Sequence, residues 1–280
     1  MDAQTELDDV AEKCWRALDT VHVTVYFAPE PTAEYAELGI RARAGYFLSR
    51  SAAMGAVSPE VTIATFYVFA PGLVRHVMRG CWDEVTPEAV TAARQQGVAA
   101  ALHRVVGDPD VTEAVELGKQ LCAGFEPQGR ALYAGHAALA WPEESLVALW
   151  HVGSLVREFR GDAHMAALML HGLDPVEALV LDAQVGGRAE FLKATRGWSA
   201  DEWSDGGRRL VERGLLEPDG TLTEAGGTLR GMVDTQTRRA SAVAWQRFGA
   251  ERTARLRDLV RPLARQVAES DVLPEALRRR

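Results

Sequence analysis

Cysteine and long apolar runs are scarce in this chain of 280 residues, and its 31 lysines and arginines are outnumbered by 39 aspartates and glutamates. Its three cysteines form no Cys-x-x-Cys pair and are odd in number, which argues against a disulfide framework and a cysteine zinc site. The apolar stretches near residues 61–79 and 146–156 are interrupted by polar residues before they reach membrane-spanning length. Because the N-terminus also has no basic-then-apolar leader, the sequence predicts a cytoplasmic protein with no membrane partner.

The short motifs of nucleotide-dependent, hydrolytic and zinc enzymes are missing as well. The chain contains no Gly-x-Gly-x-x-Gly, no phosphate-binding Gly-x-x-x-x-Gly-Lys-Ser/Thr, no Gly-x-Ser-x-Gly and no His-Glu-x-x-His. Its seven histidines show no metal-ligand spacing with cysteine or aspartate beyond the pair Asp162 and His164. We therefore predict no cofactor, no metal and no catalytic residue, and a non-enzymatic role is favoured.

The segment 198–226 has the pattern of the second half of a winged helix-turn-helix. Ser199 can cap a helix, Glu202 can close a capping box with it, and Gly214 is placed to end that helix. Within residues 215–222, a Leu-Leu pair, a Pro-Asp-Gly turn and a returning Thr-Leu pair predict a β-hairpin. That hairpin would be the wing.

Helix signals cover most of the remaining chain. Proline stands at the expected first helical position in four places: Ser58-Pro59-Glu60, Thr86-Pro87-Glu88, Trp141-Pro142-Glu143 and Asp174-Pro175. Outside the wing, only residues 21–27 are dense enough in β-branched and aromatic side chains to predict an extended segment. The predicted fold is mainly α, with a multi-helical N-terminal domain and a C-terminal winged helix-turn-helix that carries a short β-hairpin wing.

The Pro- and Gly-containing stretch at 126–140 sets the predicted domain boundary. We expect a helical domain at 1–140, for ligand binding or dimerisation, and a winged-helix domain with a C-terminal helix at 141–280.

The charge of the predicted recognition helix argues against a simple DNA-binding surface. Asp201, Glu202 and Asp205 lie in its first turns, where a recognition helix normally approaches bases and phosphates. Residues 188–239 contain nine basic and nine acidic residues, so the module is neutral, on a chain of net charge -8. A local patch could still bind duplex DNA, and its candidate residues are Arg196, Ser204, Arg208, Arg209 and Arg213.

A second concentration of polar groups lies at residues 155–168, LVREFRGDAHMAAL. If the preceding helix ends at Gly161, then Asp162 caps the next helix and His164 lies in its first turn. One interpretation is a charged corner in which the arginines pair with Glu158. The alternative is an anion- or carbonyl-binding cavity, since guanidinium groups and helix N-termini both favour anions.

Five blocks of the chain together resemble a family of actinobacterial helix-turn-helix proteins. These blocks are HVTVYFAPE at 22–30, YFLSRSAAMG at 46–55, ATFYVFAP at 64–71, LWHVGSLVREFRGDAHMAAL at 149–168, and GWSADEW through DGTLTEAG. The last part is similar to MarR-type winged-helix regulators, which implies a DNA-binding-like module. Two residues depart from the family pattern: Phe159 stands where histidine is expected, which removes a partner for His164, and Ala53 stands where proline is expected.

Polar and aromatic residues of the resembling blocks suit a pocket for a small aromatic or polyketide-like molecule. The favoured alternative is that they are core residues with satisfied polar ends. Together with the polar segment, they give the ligand-binding candidates His22, Tyr26, Arg50, Tyr67, Trp150, Arg157, Arg160, Asp162 and His164.

The sequence therefore predicts a ligand-responsive transcriptional regulator that acts as a homodimer on duplex DNA, with ligand binding shifting the spacing of its DNA-binding modules. The alternative is a small-molecule-binding protein or biosynthetic enzyme that uses a winged-helix fold without binding DNA. The acidic recognition helix favours the alternative.

Overall fold

The computed structural model describes residues 3–184 and 188–274. Ten helices come first: α1 (Ala3–His22), α2 (Thr24–Phe27), α3 (Pro29–Glu37), α4 (Ala42–Ser51), α5 (Pro59–Phe66), α6 (Pro71–Met78), α7 (Cys81–Glu84), α8 (Pro87–Val106), α9 (Thr112–Cys122) and α10 (Ala131–Ala137). A 3-10 helix at Ala52–Met54 follows α4. The second set is α11 (Ser145–Leu170), α12 (Pro175–Ala183), α13 (Ala189–Arg196), α14 (Ala200–Glu212), α15 (Glu224–Phe248) and α16 (Ala250–Glu269).

Side-chain caps fix the starts of five of these helices. The hydroxyl or carboxylate oxygens of Ser58, Thr86, Asp174, Ser199 and Thr223 each accept a backbone N–H of the first turn. Such a cap stabilises a helix by about 1 kcal/mol relative to alanine. The helix starts predicted at Ser58, Thr86, Asp174 and Ser199 are therefore confirmed, whereas the start predicted at Pro142 is wrong because α11 begins at Ser145.

Four long helices organise the main core. α11 lies against α1 and α15, and α16 packs along α1. Complete burial of one aliphatic side chain contributes about 1.5 to 3 kcal/mol, so this interface holds the first long helix firmly against the last. Its most buried members include Leu18, Leu149, Val152 and Leu256. In the part of the chain that is described, no helix is long and apolar enough to cross a membrane.

A second core lies between α4, α5, α6 and α8 and is rich in aromatic rings. Phe47, Phe66 and Phe69 have ring centroids 5.0 to 6.3 Å apart. Tyr46 extends this cluster, because its ring lies 5.4 Å from that of Phe69 and 5.1 Å from that of Tyr26 on α2. The aromatic cluster therefore extends to Tyr26, whose hydroxyl lies beside the imidazole of His22.

α12, α13 and α14 form a helix-turn-helix unit with a small core of its own. The residues from Gly197 to Ser199 join α13 to α14. Gly197 adopts a φ of 79°, which glycine tolerates without strain. The unit packs around buried side chains that also come from the segment before it and the helix after it: Leu173, Val176, Leu210 and Leu229.

The predicted β-hairpin wing is wrong. Over residues 3–184 and 188–274 no strand forms, and the turn after α14 has only one isolated antiparallel bridge, between Leu216 and Leu222. Thr223 starts α15 directly after the turn, so too few residues remain for a ladder. α15 also lies close to the backbone of Leu215: a Cβ on Gly226 would be only 2.1 Å from the Leu215 carbonyl oxygen.

The predicted extended segment at 21–27 is also wrong. α1 continues to His22, and after Val23 the chain forms the short helix α2. His22, Thr24 and Val25 are buried there. The β propensity of this segment is overridden because helical geometry lets these side chains pack against the main core.

The polar segment at 155–168 has no corner. α11 runs without a break through Gly161, because both the residues before and those after it pack against neighbouring helices. Asp162 caps a different helix: its carboxylate accepts the backbone N–H of Tyr133 in α10 at 3.0 Å. The predicted helix end at Gly161 is therefore wrong.

Candidate functional site

Eight polar and aromatic side chains meet between α1, α2, α4, α8 and α11. We call this group the polar centre: His22, Tyr26, Arg50, Arg94, Trp150, Ser154, Arg157 and Glu158. Gly153 allows α1 to approach α11 at this level, because a Cβ there would lie only 3.0 Å from the carbonyl oxygen of Leu18. The close approach brings the end of α1 onto the middle of α11.

His22 lies in the middle of the polar centre. Its Nδ1 is 3.0 Å from Ser154 Oγ, its Nε2 is 3.3 Å from Tyr26 Oη, and its ring stacks on Trp150. Burial, reinforced by the positive charge of Arg157, holds the pKa of His22 well below its usual value. The ring is therefore neutral at pH 7, with one nitrogen donating and the other accepting, and the two hydroxyls can serve either.

Arg50 and Glu158 form a bidentate ion pair inside the protein. The guanidinium Nε donates to Oε1 at 2.8 Å and Nη2 donates to Oε2 at 2.6 Å. Burial by itself would raise the pKa of Glu158, but the adjacent Arg50 outweighs it and the pKa falls to about 2. Arg50 also donates to Tyr46 Oη and lies over the ring of Phe66.

Arg94 has no such carboxylate partner, although its side chain is almost completely buried. Nη1 donates to Ser49 Oγ at 3.1 Å, and Nη2 donates to Tyr26 Oη at 3.4 Å. Its Nε is buried without a hydrogen-bond partner. The guanidinium carbon lies 5.4 Å from the ring centroid of Tyr26 and 5.2 Å from that of Trp150.

Positive charge exceeds negative charge within the polar centre. Arg157 pairs with Asp19, and Arg50 pairs with Glu158. Arg94 adds a third cation and His22 is neutral, so the three arginines together with Glu158 and the adjacent Asp19 sum to +1.

A narrow crevice reaches Arg94 from the surface. Its walls include Ser49, Thr91, His136, Trp150 and His151, and it has room for about one water molecule. Burial lowers the pKa of His136 to about 3 and that of His151 to about 4. Both rings are therefore neutral at pH 7, and His136 Nε2 donates to the carbonyl oxygen of Arg50 at 3.2 Å.

Five of the nine predicted ligand-binding residues meet in the polar centre: His22, Tyr26, Arg50, Trp150 and Arg157. The other four lie elsewhere. Tyr67 Oη donates to the Leu173 carbonyl oxygen at 2.6 Å, next to the helix-turn-helix core. Arg160 stacks on Trp15, Asp162 caps α10, and His164 Nδ1 is 3.2 Å from Thr237 Oγ1.

Arg94 and Ser154 are the important members that the sequence reasoning missed. A usable signal existed for Arg94, since it lies four residues from Val90 and four from Val98, both completely buried. This spacing places the arginine on the buried face of α8. The partner of Glu158 was also unexpected, because Arg50 and not a neighbour in α11 forms the ion pair.

The arginines predicted to bind DNA mostly contact the protein itself. Arg209 donates to Asp174 Oδ2 at 2.6 Å, and Arg213 donates to Glu177 Oε2 at 2.7 Å, so both hold α14 against the start of α12. Arg196 is largely buried, with its guanidinium over the ring of Phe69.

Arg208 remains on the exposed face of α14, where Asp205 and Glu212 pair with it. Ser204 is also exposed on this helix. The exposed charged residues of α14 are Arg208 and the four acids Asp201, Glu202, Asp205 and Glu212, which gives this face a charge of -3. Negative potential is therefore the electrostatic character of the surface that a recognition helix would present.

Comparison with curated proteins and with solved structures gives no match. Comparison with protein families matches residues 11–274 to a family described as the helix-turn-helix family. That match includes the polar centre as well as α12 to α14. It spans nearly the whole chain, and this protein therefore belongs to the helix-turn-helix family.

Proposed function

We propose that this protein is a ligand-responsive, regulator-like protein that binds duplex DNA through α13, the following turn and α14. The family match over residues 11–274 is the observation that carries the proposal. The three-residue connection between α13 and α14 supports it, because a short turn of this kind presents the second helix to the major groove. A cytoplasmic location and a homodimer accompany this role as predictions.

The acidic face of α14 determines the kind of DNA contact that we expect. Few phosphates can be neutralised by a face on which four acids outnumber Arg208, so affinity should depend only weakly on salt. Ser204 and Asp205 are exposed on this face. Carboxylates accept hydrogen bonds from the cytosine amino group, and hydroxyls bond to several bases, so recognition would come chiefly from base edges.

Communication between ligand and DNA would run through the segment 67–70. Tyr67 Oη donates to the Leu173 carbonyl oxygen at 2.6 Å, and Trp198 Nε1 donates to the Val68 carbonyl oxygen at 3.0 Å. The segment thus holds the helix-turn-helix unit at Leu173, before α12, and at Trp198, after α13. A shift of this segment would tilt α14.

The same segment is attached to the polar centre. Phe66 is at the end of α5, and its ring centroid lies 4.4 Å from the Arg50 guanidinium carbon. Tyr67 follows with a φ of 52°, and among the described residues it is the one non-glycine residue with a positive φ. A strained residue of this kind costs about 1 to 3 kcal/mol and often belongs to a switching element. We propose that ligand binding changes the position of Arg50 and relaxes Tyr67.

Selection from fragmented genomic DNA tests the DNA-binding role. The purified protein is incubated with the fragments at low and at moderate salt, and the retained DNA is sequenced. We expect a few palindromic sites that survive the higher salt and are lost with Ser204→Ala or Asp205→Ala. Arg75→Ala is the matched control, because Arg75 is an exposed, ion-paired residue on α6. Retention of random fragments only at low salt would contradict the proposal.

A second candidate function is binding, or chemical conversion, of a small molecule without DNA. The charge of -3 on the exposed face of α14 favours it. Complete absence of retained DNA at both salt concentrations would support this candidate. The polar centre would then be the whole functional site, and its ligand would be sought by the experiment that follows.

A further inference from the structure

We propose that Arg94 is the receptor for a small carboxylate ligand that enters the crevice beside Trp150. The proposal names the ligand class for the ligand-responsive part of the proposed function and rests on it. Its test uses no DNA, however, so the two can fail separately.

The first argument is the charge of the polar centre. Arg50 and Arg157 each have a hydrogen-bonded carboxylate partner. Arg94 instead donates to two hydroxyl groups, has the Tyr35 hydroxyl nearby, and interacts with the charge of Glu158 without a hydrogen bond to it. A buried cation without a directly bonded anion is costly, because it loses its hydration and gains little compensating charge. A ligand with one negative charge would neutralise the excess charge of +1.

The second argument is the hydrogen bonding of the guanidinium group. The Nε–H of Arg94 is buried and has no acceptor, and its two Nη bonds are to neutral hydroxyls. Buried donors without a partner are rare in folded proteins and destabilise them. A carboxylate accepts hydrogen bonds from two guanidinium N–H groups at once. It would therefore give Nε an acceptor and give one Nη a charged acceptor.

The third argument is the shape and lining of the crevice. Ala53, Leu139 and Trp150 give it apolar walls, while Ser49 and Thr91 provide hydroxyl groups near Arg94. This combination suits a carboxylate attached to a small apolar or aromatic body. Because the crevice holds only about one water molecule as it stands, ligand entry must move part of its wall.

The half-buried residues Gln95 and Leu139 are the side chains that can make this room. Both line the crevice, and neither is fully enclosed by the core. Their outward rotation would open a path to Arg94 without breaking the ion pair of Arg50 and Glu158. Trp150, which lines the crevice and stacks on His22, would then contact the ligand.

The test is thermal unfolding with sodium benzoate, sodium acetate or inorganic phosphate at constant ionic strength, with calorimetric titration of the same mixtures. We expect benzoate to raise the unfolding midpoint by about 2 to 3 °C at ten times its dissociation constant. Arg94→Met should abolish this shift while keeping or raising the midpoint without ligand, because methionine fills the same space without a buried charge. Arg75→Met, at an exposed arginine, should keep the full benzoate shift.

A second variant protects the test against misfolding of the first. Thr91→Met leaves Arg94 in place but fills the crevice, so it should fold and lose benzoate binding. Absence of any benzoate or acetate shift in the wild-type protein overturns the proposal. So does an equal shift in wild-type, Arg94→Met and Thr91→Met proteins, or a shift caused by phosphate and not by the carboxylates. A large loss of stability in Arg94→Met with retained benzoate binding would mean that Arg94 has a purely structural role.

Discussion

The arginines of the polar centre and those of α14 stand in opposite electrostatic environments. On α14, acids outnumber arginines, and Arg208 and Arg209 both have carboxylate partners. In the polar centre, arginines outnumber carboxylates, and Arg94 is left with hydroxyl partners. Positive charge that could hold an anion is therefore inside the protein, whereas the surface expected to meet DNA is negative. A count of charged residues along the sequence cannot reveal this division.

The largest expected effect is at the buried ion pair. Glu158→Gln leaves Arg50 as an uncompensated buried cation and should lower the free energy of unfolding by about 3 to 5 kcal/mol. Urea denaturation of wild-type and variant proteins at pH 7 measures this loss.

The double variant Arg50→Met with Glu158→Leu is the control. It removes both charges together, so it should be less destabilised than Glu158→Gln alone. If the double variant lost at least as much stability as the single one, packing and not charge pairing would be the main contribution of this pair.

A second comparison measures stability at different pH values. The buried histidines His136 and His151 are neutral in the folded protein, so they take up protons only on unfolding. In the unfolded chain a histidine titrates near 6.5, whereas the folded pKa values are about 3 for His136 and about 4 for His151. The unfolded state therefore binds more protons below pH 6.5, and stability falls as the pH decreases. Between pH 6.5 and its folded pKa, each histidine should lower the free energy of unfolding by about 1.4 kcal/mol for every unit by which the pH decreases.

Unfolding by urea at several pH values between 7.5 and 5 tests this expectation. The variant His136→Gln can keep the hydrogen bond to the Arg50 carbonyl oxygen. It should reduce the slope of unfolding free energy against pH by the contribution of one histidine. Glu158 acts in a lower window: its pKa is about 2, so its contribution is lost only as the pH falls below its unfolded value of 4.5. A slope unchanged by His136→Gln would contradict the assignment of this histidine as buried and neutral.

The helix-turn-helix unit should respond less strongly. Arg213→Ala removes hydrogen bonds to Glu177 Oε2 and to the Gly172 carbonyl oxygen. Since Arg209 Nε remains 3.6 Å from Glu177 Oε1, the carboxylate keeps one cation. We expect a loss of about 1 kcal/mol in unfolding free energy. If Arg213→Ala changed DNA retention with no effect on stability, the arginine would be a DNA contact and not a structural bond.

Local chemistry made part of this architecture predictable. Ser199 with Glu202, and Asp174 with Pro175, fix helix starts through contacts within a few residues, and the structure has both. The wing failed because it depends on how α15 packs: Gly226 lets that helix approach the Leu215 carbonyl oxygen. Such a contact is not encoded in the turn sequence itself.

The polar centre was predictable only in part for a related reason. His22, Arg50 and Trp150 lie in blocks that could be singled out, but their meeting depends on the packing of α1, α4 and α11. Arg94 lies in an alanine-rich helix that suggested no site. Its importance comes from a missing carboxylate partner, and partners more than forty residues apart can be recognised only once the helices are packed.

The smallest expected effect is at Arg208. Its side chain is 59% exposed and pairs with Asp205 and Glu212 within α14, and exposed pairs contribute about 0 to 1 kcal/mol. Arg208→Ala should therefore leave the urea midpoint of unfolding essentially unchanged. Any DNA affinity should fall and lose about one unit of salt dependence, because one phosphate contact is removed. Unchanged affinity and salt slope would mean that even this arginine serves only its two acidic neighbours, and the contrast between an anion-binding interior and a negative helix-turn-helix surface would then be complete.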